Sequence, residues 1–338
     1  MTAKTSLLMT SAQMEGNRAA WLDKKKKYIT GTDAGVIMGV NPWNTPLRLF
    51  HEKLGHIPTP DISNRDAVRF GTIFEDVVAR EFSRRTGIKV HRRGMLVDNM
   101  DNSRAANIDR ICDGGRTGLE CKTTNAFNAS EWAGDKVPPH YYYQCLHYML
   151  VLYCDYDGLL LPEYRDDPPA WYIACLIGGQ KFIYKKIPFN QEDAIKLARA
   201  EHQFRGYLAE GTPPPVSDSA IDEKCLSALN PGTGPAKSIG PKTAEIIENI
   251  NHIRGQIDSL KEDLQGYRNE LIAFLAESDT AIGSKWKVTY KQKHEAETVS
   301  ITELRKNKEL YEECKALGLV KVRPGVRSLV IKEMADDV

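Results

Sequence analysis

Asp109, Glu120 and Lys122 stand at a spacing that suits hydrolysis of a phosphodiester. Such a reaction needs a metal to carry charge on the phosphate, an activated water, and a cation near the nucleophile or transition state. The segments RAANIDRIC and GLECKTT read as two strands of a hairpin, turned by GGRT. That pairing sets Asp109 and Glu120 on neighbouring strands, where two carboxylates share one hard cation. Glu120 and Lys122 are two residues apart on a strand, so both side chains leave from the same face. Lys122 then reaches the water that the metal polarises. Cys121 turns its side chain the other way, into the core, and leaves its backbone carbonyl as a further oxygen ligand. Carboxylate and carbonyl oxygens predict Mg2+, with Mn2+ as a substitute. Asp113, in the turn of the same hairpin, is an alternative metal carboxylate.

The sequence carries its own control. Glu313-Cys314-Lys315 repeats the acid–cysteine–lysine pattern inside ELYEECKALG. That segment reads as a helix, where residues two apart face different sides, and no acidic strand precedes it. The pattern alone fits a surface hairpin with a solvated ion pair equally well, because short motifs recur by chance.

The elements around these residues predict a mixed α/β (α+β) core. Thr32 is placed to cap a helix over TDAGVIMG, Asn41-Pro42-Trp43 breaks the chain, and Thr45-Pro46 opens a second helix. Residues 71–87 form an amphipathic helix through Phe74, Val77, Val78 and Phe82, with Gly87 as its stop. Residues 88–97 read as one strand, 140–153 as a buried helix, 156–162 and 170–177 as strands, and 194–211 as a helix. Residues 211–241 are rich in Pro, Gly and Ser and read as a linker. Ile246, Ile250, Ile253, Ile257, Leu260, Leu264, Tyr267, Leu271 and Phe274 then alternate spacings of four and three, the a/d seam of a coiled coil or helical hairpin. KWKVTYKQ and VRSLVIKE alternate as strands. The expected domains are a catalytic domain at 1–215, a linker at 216–241, and a C-terminal helical and β module at 242–338.

Composition narrows the class. No apolar run is long enough to span a bilayer, and the N-terminus lacks the layout of a signal peptide, so the cytoplasm is the expected compartment. The seven cysteines form no CxxC pair, which argues against structural zinc and against a disulfide framework. Residues 1–100 hold 16 Lys and Arg against 10 Asp and Glu, while the remainder holds 30 against 35. An N-terminal surplus of positive charge is compatible with a polyanionic partner.

Several blocks, in order, resemble the lambda exonuclease/YqaJ viral recombinase family, a branch of the PD-(D/E)XK nuclease superfamily found in phages and mobile elements. Trp21 through Lys27, followed by Tyr28-Ile29-Thr30-Gly31-Thr32-Asp33-Ala34, looks like its N-terminal block. Asn41-Pro42-Trp43-Asn44-Thr45-Pro46 looks like its Trp-containing turn, and Gly71-Thr72-Ile73-Phe74-Glu75 like its Gly-x-x-x-Glu helix. Asp109 with Glu120-Cys121-Lys122 matches the nuclease core, and Tyr141-Tyr142-Tyr143-Gln144 its Tyr-x-x-Gln helix. The blocks span roughly residues 18–175. Asn107-Ile108-Asp109-Arg110 departs from the more usual Pro-Asp-Gly.

The resemblance implies a restriction-endonuclease-like core with a C-terminal extension. It implies metal binding by Asp109 and Glu120, water activation by Lys122, an added carboxylate from Glu75, and a site lined by Gln144 and Tyr141. It implies a 5′-phosphate pocket at Lys25 and Thr32, where the family has Arg and Ser. The activity implied is that of an alkaline exonuclease, running 5′→3′ on double-stranded DNA ends and leaving 3′ single strands. The partners implied are a single-strand annealing protein and further copies in a trimer, in a bacterial host cell. An endonuclease of the same superfamily and a non-catalytic DNA-binding or assembly module are the alternatives. A need for free DNA ends distinguishes the first, and the intact acid–lysine set argues against the second. An iron–sulfur nuclease would require a cysteine cluster that these spacings do not supply.

Overall fold

One long antiparallel ribbon bends where Asp109 sits, and that bend organises the first unit of the chain. The computed structural model describes residues 4–59, 62, 65–230, 232, 234–291 and 300–320. The chain forms two units, Met1–Pro231 and Gly232–Val338. The first unit runs β1 (Thr5–Met9), α1 (Ser11–Gly16), α2 (Arg18–Lys27), β2 (Ile29–Thr30), α3 (Gly31–Ile37), α4 (Pro46–Lys53), α5 (Asp66–Thr86), β3 (Val90–His91), β4 (Gly94–Asp98), β5 (Arg104–Ile108), β6 (Arg110–Cys112), β7 (Thr117–Thr124), α6 (Pro139–Tyr153), β8 (Ala170–Ile177), β9 (Lys181–Pro188), α7 (Gln191–Glu210) and α8 (Ala220–Leu229). The architecture is mixed α/β, as the pattern of elements predicts.

Two sheets share the ribbon. One has strand order β1-β4-β5-β2, the other β3-β6-β7-β8-β9. The segment expected to be a single strand at 88–97 is two strands, and RAANIDRIC likewise divides at Asp109. Both partners change sheets at one level: β4 and β5 pair as Gly94↔Ile108, and β3 and β6 pair as Val90↔Cys112. Gly94 permits the bend. Its φ is +88°, and a Cβ there would lie 2.4 Å from the Met9 carbonyl oxygen.

The five-stranded sheet is covered on both faces. On one face Val78, Ala79 and Phe82 of α5 pack on Leu119 and Ala174, with Cys121 at the margin. On the other, Leu146, Met149 and Leu150 of α6 pack on Trp171, Ile173 and Cys175, backed by Leu197 and Ala198 of α7. Alternation along β7 therefore sends Leu119 and Cys121 toward α5, and Gly118, Glu120 and Lys122 toward α6. α3 lies hard against α6 because it has no Cβ at two contacts. A Cβ on Gly31 would meet the Tyr148 ring at 2.6 Å, and one on Gly35 would meet the His140 backbone at 2.9 Å.

Several expectations are corrected. Thr30, not Thr32, is the N-cap of α3, since the helix begins at Gly31. α5 starts at Asp66, and its Val77 faces out. Residues 156–162 are not a strand: the Asp155 carboxylate accepts from the N–H groups of Asp157 and Leu159, and Gly158 has φ +87°, so the segment turns. The span 216–241 is not simply a linker. It contains α8, anchored through Asp222, whose carboxylate accepts from the Thr45 hydroxyl and from Ser217 N–H at 2.7 Å. The compact unit therefore runs sixteen residues beyond the expected boundary at 215, to Pro231.

The second unit runs α9 (Pro241–Leu275), β10 (Thr280–Ile282), β11 (Lys287–Thr289), α10 (Ile301–Leu304) and α11 (Lys308–Ala316). β10 and β11 form an antiparallel hairpin. The strand expected over VRSLVIKE lies outside the described residues. No helix among the described residues is long and apolar enough to cross a membrane. All seven cysteines are free thiols, five of them buried.

Candidate active site

β6 and β7 pair as Arg110↔Leu119 and Ile111↔Gly118. One more step of that register sets Asp109 opposite Glu120, at the point where the ribbon leaves one sheet for the other. The Asp109 carboxylate accepts from the Cys121 N–H at 2.9 Å. The N–H and C=O of a strand residue leave on the same edge, so the Cys121 carbonyl also faces Asp109 rather than β8.

Glu120 is buried, and its Oε1 lies 2.6 Å from Lys122 Nζ. Gln144 of α6 holds the pair together: its amide nitrogen donates to Glu120 Oε1 at 2.7 Å, and its amide oxygen accepts from Lys122 at 3.2 Å. Tyr148, one helical turn on, lies 2.7 Å from the same Gln144 nitrogen. The Lys122 ammonium sits over the Tyr141 ring, 4.5 Å from its centroid. The sequence thus identified Asp109, Glu120, Lys122, Gln144 and Tyr141, and the fold brings all five together.

The charges are unevenly matched. Burial, then the charges of Glu120 and Glu75, hold the Asp109 carboxyl well above its ordinary value. Burial pushes the Lys122 ammonium down, but Glu120, Tyr141 and Asp109 more than offset it, so Lys122 stays protonated. Glu120 Oε2 is buried and has no hydrogen-bond partner among the described residues. An orphaned carboxylate oxygen beside a second acid is the donor chemistry of a divalent cation site. Among the described residues no cluster of three or more His, Cys, Asp or Glu side chains is arranged to hold a metal. The set that fits is two carboxylates, Asp109 and Glu120, with the Cys121 carbonyl.

Glu75 is near but engaged. Its carboxylate binds Arg110, whose guanidinium also donates to the Asp109 carbonyl at 2.6 Å and pairs with Asp76. Arg110 was not singled out from the sequence; its only signal was the departure from Gly after the acid. Asp113 is elsewhere, exposed and 2.6 Å from His91. Lys315 stands on α11, in the second unit.

Lys25 is half-buried, with its ammonium 5.5 Å from the centroid of the Trp21 ring. Burial lowers its pKa; Asp33 opposes this, while Lys53 and Lys122 add to it, so Lys25 lies within electrostatic reach of Lys122. Asp33 is committed elsewhere, 2.9 Å from Lys53 and accepting from Thr30. Thr32 is exposed on the first turn of α3, its hydroxyl 3.2 Å from that of Thr30.

A cleft of about 610 Å³ opens beside Tyr141, with Trp43, Phe70, Phe74, Trp132 and His140 on its walls. Burial and the nearby Lys122 push His140 down to about 4, so it is neutral at physiological pH.

Among solved structures, the chain is similar to an alkaline exonuclease, LHK-Exo, from Laribacter hongkongensis, with a TM-score of 0.45, 15% identity, and coverage of 57% of this chain and 93% of that one. A phage-related exonuclease from Haemophilus somnus 129PT aligns with a TM-score of 0.37, 11% identity, and coverage of 54% and 96%. The Bacillus subtilis (strain 168) protein YqaJ is 34% identical over 275 residues, covering 80% of this chain and 82% of that protein. The model of the YqaJ-like viral recombinase domain matches residues 20–155, a span that holds Lys25, Glu75, Asp109, Glu120, Lys122 and Gln144. Extended identity to YqaJ, together with that domain match, makes this chain a member of the YqaJ-like viral recombinase family.

Proposed function

We propose that the chain is a metal-dependent deoxyribonuclease that degrades one strand of linear duplex DNA, 5′→3′, and leaves 3′ single strands for recombination by strand annealing. The observation that carries this reading is the buried Glu120 carboxylate, with one oxygen clamped by Lys122 and Gln144 and the other unpartnered, set opposite Asp109. Asp109, Glu120 and the Cys121 carbonyl would hold Mg2+, or Mn2+ in its place. A bound divalent cation supplies charge stabilisation on the phosphate and a more acidic water.

The residues of the chain do the rest. Gln144 fixes Glu120 and Lys122 relative to one another, which keeps the ammonium at the mouth of the carboxylate pair. Lys122, protonated between Glu120 and the Tyr141 ring, orients the attacking water and offsets charge on the phosphate as it builds. Arg110 ties α5 to the strand that bears Asp109, through Glu75 and Asp76. Lys25 and Thr32 are the proposed 5′-phosphate contacts. The aromatic walls of the cleft suit unstacked bases of the strand being cut, since every base has a π-face to stack. Partners on this reading are double-stranded DNA ends and a single-strand annealing protein.

The test is digestion of end-labelled linear DNA beside a covalently closed circle. Linear DNA should be consumed with Mg2+ or Mn2+, spared with chelator, and bound without turnover in Ca2+. A circle cut as fast as the linear form would make the protein an endonuclease instead. Undiminished digestion in chelator would end the metal assignment. Wild type should prefer a 5′ phosphate over a 5′ hydroxyl and lose activity steeply as salt rises. Lys25→Ala should erase that end preference.

A further inference from the structure

α9 is a 35-residue helix, about 52 Å long, that leaves its apolar stripe open. Ile246, Ile253, Ile257, Leu260, Leu264, Tyr267, Leu271 and Phe274 expose 45–72% of their surface. An apolar face of that length does not remain in water. With the stripe as the a and d positions, Ile250, Ile257, Leu264 and Leu271 fall at a, and Ile246, Ile253, Leu260, Tyr267 and Phe274 at d.

The flanks of the stripe then say what covers it. Between residues 249 and 270, one flank, position e, carries Arg254, Lys261 and Arg268; the other, position g, carries Asn249, Gln256, Asp263 and Glu270. All of these are exposed. One edge is basic, and the other is acidic or amide. In a parallel, in-register pair of such helices, each g residue meets the e residue five positions on in the second helix. Asp263 then meets Arg268, Gln256 meets Lys261, and Asn249 meets Arg254, while at the two ends Glu270 meets Leu275 and Lys242 meets Ile247. An antiparallel pair would set the basic edge against itself and the acidic edge against itself. Gly255 and Gly266 fall at f and c, outside the seam, where they interrupt neither the apolar stripe nor its charged edges.

We propose that α9 is a self-assembly surface, whose occupant is α9 of another copy of this chain, parallel and in register. The proposal is independent of the nuclease reading, since its tests measure mass and linkage rather than activity.

The experiment uses the full-length chain. Ile246→Cys places a thiol at the first d position. In a parallel seam two such thiols face one another and mild oxidation links the copies. In an antiparallel seam they stand at opposite ends, about 40 Å apart. Wild type, whose partly exposed thiols are Cys121 and Cys314, is oxidised alongside as the control. Covalent dimer in the variant and not in wild type is the expected result. A second arm reverses charge at exposed positions that leave the fold alone. Asp263→Lys and Arg268→Glu should each weaken self-association in sedimentation by about tenfold, and the double variant should restore it. A chain that stays single in solution, the result if α9 folds back on its own copy or receives a different protein, overturns the proposal. So does assembly that is indifferent to the reversals, or a thiol at 246 that never links.

Discussion

α6 has a buried acid cluster on either side of it, and the two are built in opposite ways. On one side, Gln144 and Tyr148 face Glu120 and Asp109. On the other, His147 faces Glu201 of α7, with Nδ1 2.7 Å from the carboxylate, while Nε2 lies 3.1 Å from the Ala105 carbonyl. Glu201 also accepts from Arg104 at 2.7 Å, and Asp101 is met by Arg205 at 2.7 Å and by Arg104 at 3.4 Å. Burial alone would raise the Glu201 carboxyl; His147 and Arg104 bring it below its ordinary value. Asp109 goes the other way, held up by burial and by the acids around it. One cluster has its cations supplied by the chain. The other is short of positive charge: Lys122, which pairs with Glu120 and lowers Asp109, does not offset the burial and the neighbouring acids that raise Asp109. On the proposed reading, the acid cluster left in deficit is the one that takes a cation from solution.

The largest break in that comparison removes a member of the deficient cluster. Lys122→Ala, Asp109→Asn and Glu120→Gln should each cut the rate of DNA cleavage by about a thousandfold or more, while leaving the fold intact. Lys315→Ala, in the helical copy of the motif, should leave the rate unchanged. Equal losses from Lys122→Ala and Lys315→Ala would move the site away from β7.

Unpairing the neutralised cluster should act on stability instead. Glu201→Gln takes from buried Arg104 its nearer counter-charge, leaving Asp101 at 3.4 Å, at a cost of about 3–5 kcal/mol in denaturant unfolding. The sign in pH follows from the lowered Glu201 value. Its contribution is present above the ordinary carboxylate pKa of about 4.3 and is lost as pH falls through the folded value. Wild type and variant should therefore converge in acid. A variant as stable as wild type at neutral pH would mean the cluster is better solvated than its burial implies.

What the sequence disclosed tracks the range of the interactions involved. Period-two alternation on β7 was enough to send Glu120 and Lys122 one way and Cys121 the other, because strand geometry is local. Gln144 was named only through the resemblance, by its Tyr-x-x-Gln helix, and Tyr148, one turn further along α6, was not named. The bend at Asp109 was not readable, because a strand that changes sheets keeps its alternation while its neighbours change. Nor was Arg110, whose partners Glu75 and Asp76 arrive from α5, 35 and 34 residues away. α8 was hidden by its flanks: Pro, Gly and Ser on both sides dominate the composition, while its anchor, Thr45 to Asp222, spans 177 residues. β9 was missed although Gly178-Gly179, both at positive φ, announce the turn before it. Its mixed charged and apolar run is that of an edge strand.

A smaller effect sharpens the contrast from the Asp109 side. Asp109 has a raised pKa in the fold, so its proton stabilises the native state, and charge there costs stability. That stability is fully present below the unfolded value of about 3.9 and is lost as pH rises toward the folded value. Asparagine mimics the protonated acid. Asp109→Asn should therefore raise the melting temperature of metal-free protein at neutral pH, with the gain shrinking to nothing in acid. Adding Mg2+ should stabilise wild type and not the variant, because only wild type keeps the carboxylate pair. A variant that melts lower than metal-free wild type at neutral pH would mean that Asp109 is satisfied by the chain after all.

The smallest expected effect belongs to the third acid of the same hairpin. Asp113 has neither a deficit to fill nor a buried cation to satisfy. It stands in solvent beside His91, with both side chains more than half exposed. Exposed pairs contribute little, because water screens them and two side chains must be ordered to make them. Asp113→Asn should shift unfolding by no more than about 0.5 kcal/mol and retain most of the cleavage rate. The variant isolates placement from residue type, since Asp113 and Asp109 lie four residues apart on one ribbon and differ in what surrounds them. If Asp113→Asn is as inactive as Asp109→Asn, the cation is held at the turn of the hairpin rather than at its bend. The contrast between the two sides of α6 would then describe stability alone.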